Sequence, residues 1–250
     1  MPATTPEPHM RENPKWVRGV HAAHPVVDSR DALYVWEHEY YPAWYFPITD
    51  VTGELRATGE TFESETRGTG TRYDIVTTNG TVITDAAWRH LDSPIAELRD
   101  RVRIEWKAID GWFEEDVEVF VHPRSPEVRV DVMPTSKHVR VIIEGETIAD
   151  SVRTSVLYEA HLPPRYYFPQ SDVRMDLLTK SATVSECPYK GFSHFWDVTV
   201  GDATHDDLAW GYRTPLPEAL GIAGMVCFYN EKVAIEIDGH PVERPTTKFS

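Results

Sequence analysis

The chain contains two copies of one segment, and this duplication constrains its fold more than any other feature. Residues Val17 to Val51 realign with Val139 to Val173 at a constant shift of 122, and eleven of the thirty-five aligned positions are identical. Unrelated segments of ordinary composition would match at roughly two such positions, so the repeat indicates duplication. The 250 residues therefore predict two domains, each long enough to bury a core of its own.

The predicted boundaries follow from this alignment. They are a flexible tail over residues 1–16, an N-terminal repeat over residues 17–128 and a C-terminal repeat over residues 129–250. The stretch from His122 to His138 contains three prolines and is typical of a partly extended linker. Duplicated halves often pack together, so we expect contact between the two domains.

Charge and cysteine content limit the partners. Forty Asp and Glu residues outnumber twenty-five Lys and Arg residues, which gives a net charge of -15. No basic run could neutralise successive phosphates, so we expect neither nucleic acid nor a membrane as partner. Residues 1–14 lack the apolar core of a signal peptide, and we expect a cytoplasmic protein. Two cysteines are too few for a closed zinc site made of thiolates alone. The eleven histidines leave a site of histidines and carboxylates open, but no His-Glu-x-x-His motif occurs, so neither metal nor cofactor is predicted.

Short runs of β-branched and aromatic residues, separated by turn residues, predict an all-β fold with one short helix per repeat. Val139 to Ile143 leads through Glu144-Gly145 into a second strand, and Val233 to Ile237 alternates apolar with other residues. The N-terminal helix is predicted after Ser93-Pro94, where Ile95, Leu98 and Val102 have helical spacing. Its shorter C-terminal counterpart is predicted over residues 217–220.

The segment Ser185 to Gly191 is a candidate catalytic loop. Lys190 lies three residues from Cys187 and can favour its thiolate, with Tyr189 between them. The alternative is a structural turn with a buried cysteine and an ordinary ion pair. The aligned block of the N-terminal repeat, Ser64 to Gly70, has threonine in place of the cysteine and no lysine, so this chemistry is expected in the C-terminal repeat alone.

A second set of residues combines acidic and aromatic side chains. Carboxylates beside aromatic rings can line a pocket and act as general acids or bases, although buried aromatic residues are as often structural. The candidate set comprises Glu159, Tyr166, Tyr167, Asp172, Trp210 and Tyr212, with Glu37 and Trp88 as counterparts in the N-terminal repeat.

The C-terminal repeat resembles a known family nearly end to end. The matching motifs are Val139-Arg-Val141, Asp150-Ser151, Tyr166-Tyr-Phe-Pro169, Asp172-Val173, Cys187-Pro-Tyr-Lys-Gly191, Ala209-Trp-Gly-Tyr212, Ile222-Ala-Gly224 and Phe228-Tyr229. On these residues the chain is similar to tandem proteins of the family called domain of unknown function 427. The resemblance implies two tandem β-tent-like domains, similar to Mss-four-like proteins and B-type methionine sulfoxide reductases. It implies no established reaction.

Three functions are compatible with these features. The leading hypothesis is binding of a small polar organic molecule in an aromatic and acidic pocket of the C-terminal repeat. The second is an enzyme acting on a small metabolite, in which Cys187 is the nucleophile, Lys190 its electrostatic partner and Glu159 the proton carrier. The third is a structural module that offers a surface to a protein partner.

Overall fold

The computed structural model describes residues 8–247 and 249–250. The chain divides into two compact units, Met1–Ser125 and Pro126–Ser250, called here the N-terminal and the C-terminal unit. Both are built from antiparallel strands, which confirms the predicted pair of tandem all-β domains. Of the predicted tail, residues 1–7 lie outside the described residues, while Met10–Glu12 forms an edge strand.

Within the described residues the N-terminal unit has two sheets. Its strands are β1 (Met10–Glu12), β2 (Val17–His21), β3 (His24–Ser29), β4 (Leu33–Val35), β5 (Ala43–Pro47), β6 (Glu54–Ser64), β7 (Gly68–Val76), β8 (Val82–Arg89), β9 (Arg101–Ile104), β10 (Gly111–Glu114) and β11 (Val117–Val119). The larger sheet has the order β1-β4-β5-β9-β8-β7-β6, and the smaller has the order β11-β10-β2-β3.

The C-terminal unit repeats this plan within the described residues. Its strands are β12 (Val130–Pro134), β13 (Val139–Ile143), β14 (Glu146–Ser151), β15 (Ser155–Glu159), β16 (Arg165–Phe168), β17 (Leu178–Cys187), β18 (Gly191–Val200), β19 (Ala203–Tyr212), β20 (Val226–Phe228), β21 (Ala234–Ile237) and β22 (His240–Val242). The larger sheet has the order β12-β15-β16-β20-β19-β18-β17, and the smaller has the order β14-β13-β21-β22.

Strand alternation gives each large sheet two buried faces. On β16, Phe168 packs into the main core, which both sheets of the unit supply. Tyr167 points the opposite way, into a second cluster with Trp210 and Cys227. Side chains alternate along a strand, so one strand can serve both faces. The second face of the large sheet, called here the outer face, holds most of the residues considered below.

The predicted helices are short segments of 3-10 helix. The first covers only Ala96–Leu98, and Val102 lies on β9. Ile95 and Leu98 are buried, but Val102 is buried as a strand residue, so three apolar residues at helical spacing arose from two different elements. The C-terminal counterpart covers Pro217–Ile222, with proline at its first position as expected.

Candidate functional site

Each unit gathers polar and aromatic side chains on the outer face around one glutamate. The Glu159 cluster of the C-terminal unit comprises Glu159, Tyr167, Lys190, Trp210, Tyr212 and Cys227. The Glu37 cluster of the N-terminal unit comprises Glu37, Tyr45, Arg67, Trp88, His90 and Arg103. Strand register makes the two sets equivalent, because Tyr45 and Trp88 both pair with Arg103, as Tyr167 and Trp210 both pair with Cys227.

The predicted residues Glu159 and Lys190 do meet. The Lys190 ammonium donates a hydrogen bond to the Glu159 carboxylate, and Lys190 is only 8% exposed. The next residue, Gly191, has a φ of +90°, which favours glycine over any residue with a Cβ. This glycine turns the chain into β18 and fixes the position of the lysine. The ammonium therefore neutralises the carboxylate, and a buried charge requires such a partner.

The phenols of this cluster stay protonated. The Trp210 indole donates to the Tyr167 hydroxyl over 3.2 Å. Burial raises the pKa of Tyr167 well above its usual value, and the neighbouring Cys227 raises it further. Burial also raises the pKa of Tyr212, assisted by Cys187 and Glu159. Both tyrosines are therefore neutral hydrogen-bonding groups at physiological pH.

The two cysteines differ in environment. Cys227 is fully buried on β20, and burial raises the pKa of its thiol to about 12. A thiol that stays protonated is a poor nucleophile, so Cys227 is a structural residue. Cys187 is half-buried and ends β17, where it pairs with Gly191. It is the thiol that a reagent could reach.

A buried ion pair that sequence reasoning missed lies beside this cluster. The Arg165 guanidinium donates to both oxygens of Glu231, at 2.6 and 2.7 Å. Their side chains are 6% and 0% exposed. Burial alone would raise the pKa of Glu231, but hydrogen bonds from Arg165 and Thr247 outweigh it and lower the pKa to about 2. The Phe249 ring lies 5.9 Å from the guanidinium and helps to cover it.

Besides Cys187, three predicted residues lie outside the cluster. Tyr166 packs against the main core, on the other face of β16. Asp172 accepts hydrogen bonds from Arg153 and Ser151, which hold the pKa of its carboxyl far below the usual range. This bonding makes Asp172 the anchor of a turn. Tyr189 is half-buried in the hairpin between β17 and β18.

In the N-terminal unit, Glu37 is shared among several donors. The Tyr45 hydroxyl donates to one carboxylate oxygen over 2.7 Å. Arg67 and Arg103 approach the carboxylate at 3.7 and 3.4 Å. Arg103 also pairs with Glu105 at 3.2 Å, and its guanidinium lies 4.1 Å from the Trp88 ring. The Trp88 indole N–H has no hydrogen-bond partner among the described residues.

The hairpin register corrects one sequence prediction. Ser64 pairs with Gly68 as Cys187 pairs with Gly191, and both glycines have a positive φ. Ser64 is therefore the counterpart of Cys187, although the sequences had aligned it with Ser185. Arg67 takes the place of Lys190, so the lysine is absent from the N-terminal repeat but a basic residue lies in its position.

A size exchange accompanies the change from Tyr212 to His90. Phe62 lies against Gly70, and a Cβ on that glycine would come within 2.3 Å of the ring. The equivalent cross-strand pair in the C-terminal unit is two serines, Ser185 and Ser193, whose hydroxyls lie 2.7 Å apart. The phenylalanine thus occupies space beside His90 that the larger tyrosine needs in the other unit.

His90 is a neutral, buried base. Burial lowers its pKa, and the nearby Arg67 lowers it further. Its Nδ1 lies 3.2 Å from the Gly68 carbonyl, and a carbonyl can only accept, so Nδ1 carries the proton. Nε2 has no hydrogen-bond partner among the described residues.

The N-terminal unit contains a cavity of about 150 Å³ where β5 begins and β9 ends. Its wall combines the Glu37–Arg103–Glu105 ion pairs with three tryptophans, Trp44, Trp106 and Trp112. The tryptophan rings contact one another, with centroids 5.4 to 5.7 Å apart. The remaining lining residues are His38, Tyr41, Pro42, Ala43, Phe46, Ile104, Lys107, Val121, His122 and Pro123.

Comparison with known protein families decides the relationship of the chain. A family model described as a domain of unknown function (DUF427) matches residues 9–115 and again residues 131–239. The chain belongs to this family. Each match ends close to the end of one unit, so the chain is a tandem of two DUF427 domains. A comparison with curated proteins gave no match.

Both DUF427 domains of this chain keep the central glutamate and a basic partner, but they differ in what surrounds the pair. Among the described residues, no helix is long and apolar enough to cross a membrane. In the same part of the chain, no group of three or more His, Cys, Asp and Glu residues is placed to hold a metal ion.

The alignment of the two repeats predicts neither the Arg165–Glu231 ion pair nor the cavity. Arg165 aligns with Ala43, so the alignment marks the position as variable and gives no reason to single it out. Arg103 aligns with Cys227 only once the strand register is known. One sequence feature did point to the N-terminal unit as the location of an aromatic-lined cavity, namely that six of the eight tryptophans lie there.

Proposed function

We propose that this protein binds a small polar organic molecule, and that its binding site is the cavity of the N-terminal unit. The observation that carries the proposal is the cavity itself, where apolar indole walls meet a few polar groups. Ligand sites combine these two elements, because apolar walls supply affinity and polar groups fix orientation. Its volume of about 150 Å³ leaves room for about ten water-sized groups.

The Glu159 cluster supports a ligand less well. Its lysine is bonded to its glutamate, its indole to its tyrosine, and the neighbouring arginine to Glu231. A ligand would have to break one of these buried contacts to bind there, and removing one partner of a buried pair is strongly destabilising. This moves the proposed pocket from the C-terminal repeat, where the sequence had suggested it, to the N-terminal unit.

The test is a thermal-shift screen of small polar metabolites against the full chain and against Ala43→Arg with Lys107→Glu. Ala43 and Lys107 both line the cavity. A ligand that binds the folded state raises the melting temperature, and the double variant fills the cavity with the pair that Arg165 and Glu231 form. Shifts that appear with the natural chain and vanish with the folded variant support the proposal. Equal shifts in both chains would contradict it.

A second candidate function, catalysis at Cys187, has one observation in its favour. Cys187 and Glu159 both raise the pKa of the Tyr212 hydroxyl by their charge, so the accessible thiol and the carboxylate lie near one phenol. The enzyme hypothesis requires Lys190 to activate the thiol. Alkylation of Cys187 by iodoacetamide should then slow about tenfold or more in Lys190→Met. An unchanged rate in the folded variant would rule out this role for the lysine.

A further inference from the structure

We infer that the ligand of the N-terminal cavity is a small aromatic carboxylate. This inference rests on the proposed function and names the class of molecule. It comes from comparing the cavity wall with the same place in the C-terminal unit, where the chain supplies its own pair of opposite charges.

In the C-terminal unit, Arg165 starts β16 and reaches Glu231 in the turn after β20. The guanidinium also approaches the rings of Trp210 and Tyr229, at 5.6 and 5.9 Å. The pair is almost fully buried, so at this place the unit holds a cation and an anion together among aromatic rings.

The equivalent residues of the N-terminal unit are Ala43 and Lys107. Ala43 pairs with Val35 as Arg165 pairs with Leu157, which fixes the first equivalence. The turn after β9 is closed by a bond from the Ala108 amide to the Glu105 carbonyl, and the turn after β20 by a bond from Lys232 to Tyr229. These turns place Lys107 where the other unit has Glu231.

Compared with the C-terminal unit, alanine in place of Arg165 removes a positive charge, and lysine in place of Glu231 turns a negative charge into a positive one. Ala43 is too short to reach across the turn, and both Ala43 and Lys107 lie on the cavity wall. No described residue forms an ion pair with Lys107. The cavity therefore lies where the other unit has an ion pair, with an ammonium group in the position of the carboxylate.

The charges around the cavity leave an anion missing. The cavity wall carries Arg103 and Lys107 with two carboxylates, Glu37 and Glu105, and Arg103 forms an ion pair with each carboxylate, so Lys107 is left without an anion among the described residues. The Arg103 Nε already lies 3.4 Å from a Glu37 carboxylate oxygen, so Lys107 is the cation of the wall that a ligand can engage. A ligand carboxylate would neutralise the Lys107 ammonium and accept a hydrogen bond from it, and hydrogen bonds between ionised groups are the stronger kind.

The aromatic residues of the cavity wall favour a ligand that carries an aromatic ring. Trp44, Trp106 and Trp112 offer ring faces and edges, and Phe46 lies stacked on Trp112 at 5.9 Å. Aromatic rings pack well against such walls in tilted or offset arrangements. A single ring joined to a carboxylate by a short linker has about ten heavy atoms, which suits the available volume.

Isothermal titration calorimetry with three matched probes tests the inference. Phenylacetate, phenylacetamide and phenethylamine share the ring and differ mainly in charge. We expect phenylacetate to bind at least about tenfold more tightly than either of the others. Lys107→Glu should remove that preference, because it places a carboxylate beside the bound one. Lys180→Glu is the matched control, since Lys180 is exposed on β17 of the other unit.

The outcomes separate this inference from the proposed function. Tighter binding of the amide or the amine would overturn the carboxylate assignment and leave the cavity as a ligand site. Loss of phenylacetate binding in Lys180→Glu as well would show that net charge, and not Lys107, sets the preference, which also overturns the assignment. Absence of binding by all three probes would also overturn the carboxylate assignment. The proposed function is decided separately, by the thermal-shift screen that compares the natural chain with Ala43→Arg plus Lys107→Glu.

Discussion

The two units surround the same glutamate with different partners. In the C-terminal unit, Glu159 pairs with Lys190, and the arginine beside Trp210 comes from β16 and has its own carboxylate. In the N-terminal unit, the arginine beside Trp88 comes from β9 and is shared between Glu37 and Glu105. A cation near the tryptophan is thus present in both units, but it is supplied by adjacent strands.

This difference explains why the place of the Arg165–Glu231 pair in one unit is a cavity in the other. Moving the arginine from position 165 to the equivalent of position 227 leaves alanine at the start of β5. The buried Cys227 of one unit becomes the charged Arg103 of the other, and Glu231 becomes Lys107. Compared with the C-terminal unit, the N-terminal unit thus takes the cation beside its tryptophan from an adjacent strand and has a lysine in place of the carboxylate, and the alanine at the start of β5 leaves a space.

The largest expected effect comes from breaking the buried pair of the C-terminal unit. Glu231→Gln should destabilise that unit by about 3–5 kcal/mol, because it leaves the Arg165 guanidinium buried without a counter-charge. Lys107→Gln at the equivalent place should change the N-terminal unit by less than about 0.5 kcal/mol, since Lys107 is exposed.

Urea unfolding, followed by the indole NMR signals of Trp88 and Trp210, reports on each unit separately. Replacing both members of the pair, Arg165→Met with Glu231→Leu, should recover most of the loss, because two apolar groups need no counter-charge. Equal losses from Glu231→Gln and Lys107→Gln would break the proposed contrast between a filled and an open site.

A smaller effect should distinguish the basic partners of the two glutamates. Lys190→Met should cost the C-terminal unit about 2–3 kcal/mol, because Glu159 then keeps a buried charge without its cation. Arg67→Met should cost the N-terminal unit only about 1 kcal/mol, since Tyr45 and Arg103 still hold Glu37. The same urea titration measures both values. A larger loss in Arg67→Met would show that Arg103 does not share the neutralisation of Glu37.

The smallest expected effect is a difference between the two units in how their stability changes as the pH falls. Burial lowers the pKa of His90, so the unfolded chain takes up a proton near pH 6.5 that the folded unit does not. The N-terminal unit should therefore lose stability as the pH falls below 6.5. Glu231 has a lowered pKa of about 2, so its stabilisation is present above pH 4.5 and is lost as the pH falls towards 2.

His90→Tyr tests whether His90 causes the loss of stability at low pH, because it replaces the histidine by the tyrosine that the C-terminal unit has at the equivalent position, Tyr212. Urea midpoints of the N-terminal unit at pH 7.5 and pH 5.5 should then be closer together than in the natural chain. Phe62→Ser should accompany the change, since Phe62 occupies the space that a tyrosine requires. An unaltered pH dependence in the folded double variant would mean that His90 is not the group that titrates.

Much of the fold could be predicted because it depends on local patterns. Val139 to Ile143 and Val233 to Ile237 were predicted as strands, and the structure has β13 over Val139–Ile143 and β21 over Ala234–Ile237. Alternation and turn residues are contained in the sequence itself. The short helix predicted after Ser93-Pro94 is a single 3-10 turn, because Val102, which has helical spacing in the sequence, is buried on β9 instead.

The site was less predictable because it depends on strand register. The two hairpins have equal length, and their strand pairing makes Ser64 equivalent to Cys187, whereas the sequences had aligned Ser64 with Ser185; no residue type reveals this register. Glu159 and Lys190 were predicted because both lie in distinctive motifs. Ala43 and Lys107 were not, because a cavity arises from a missing side chain, and a single sequence does not show what is missing.

The most direct test of the central claim, that the N-terminal unit holds the open site, is the indole NMR spectrum of the full chain titrated with phenylacetate. Trp44, Trp106 and Trp112 line the cavity, whereas Trp196 and Trp210 belong to the C-terminal unit. The account predicts that the three cavity signals shift in a saturable manner while the two C-terminal signals stay in place. Movement of the Trp210 signal with unchanged cavity signals would contradict it.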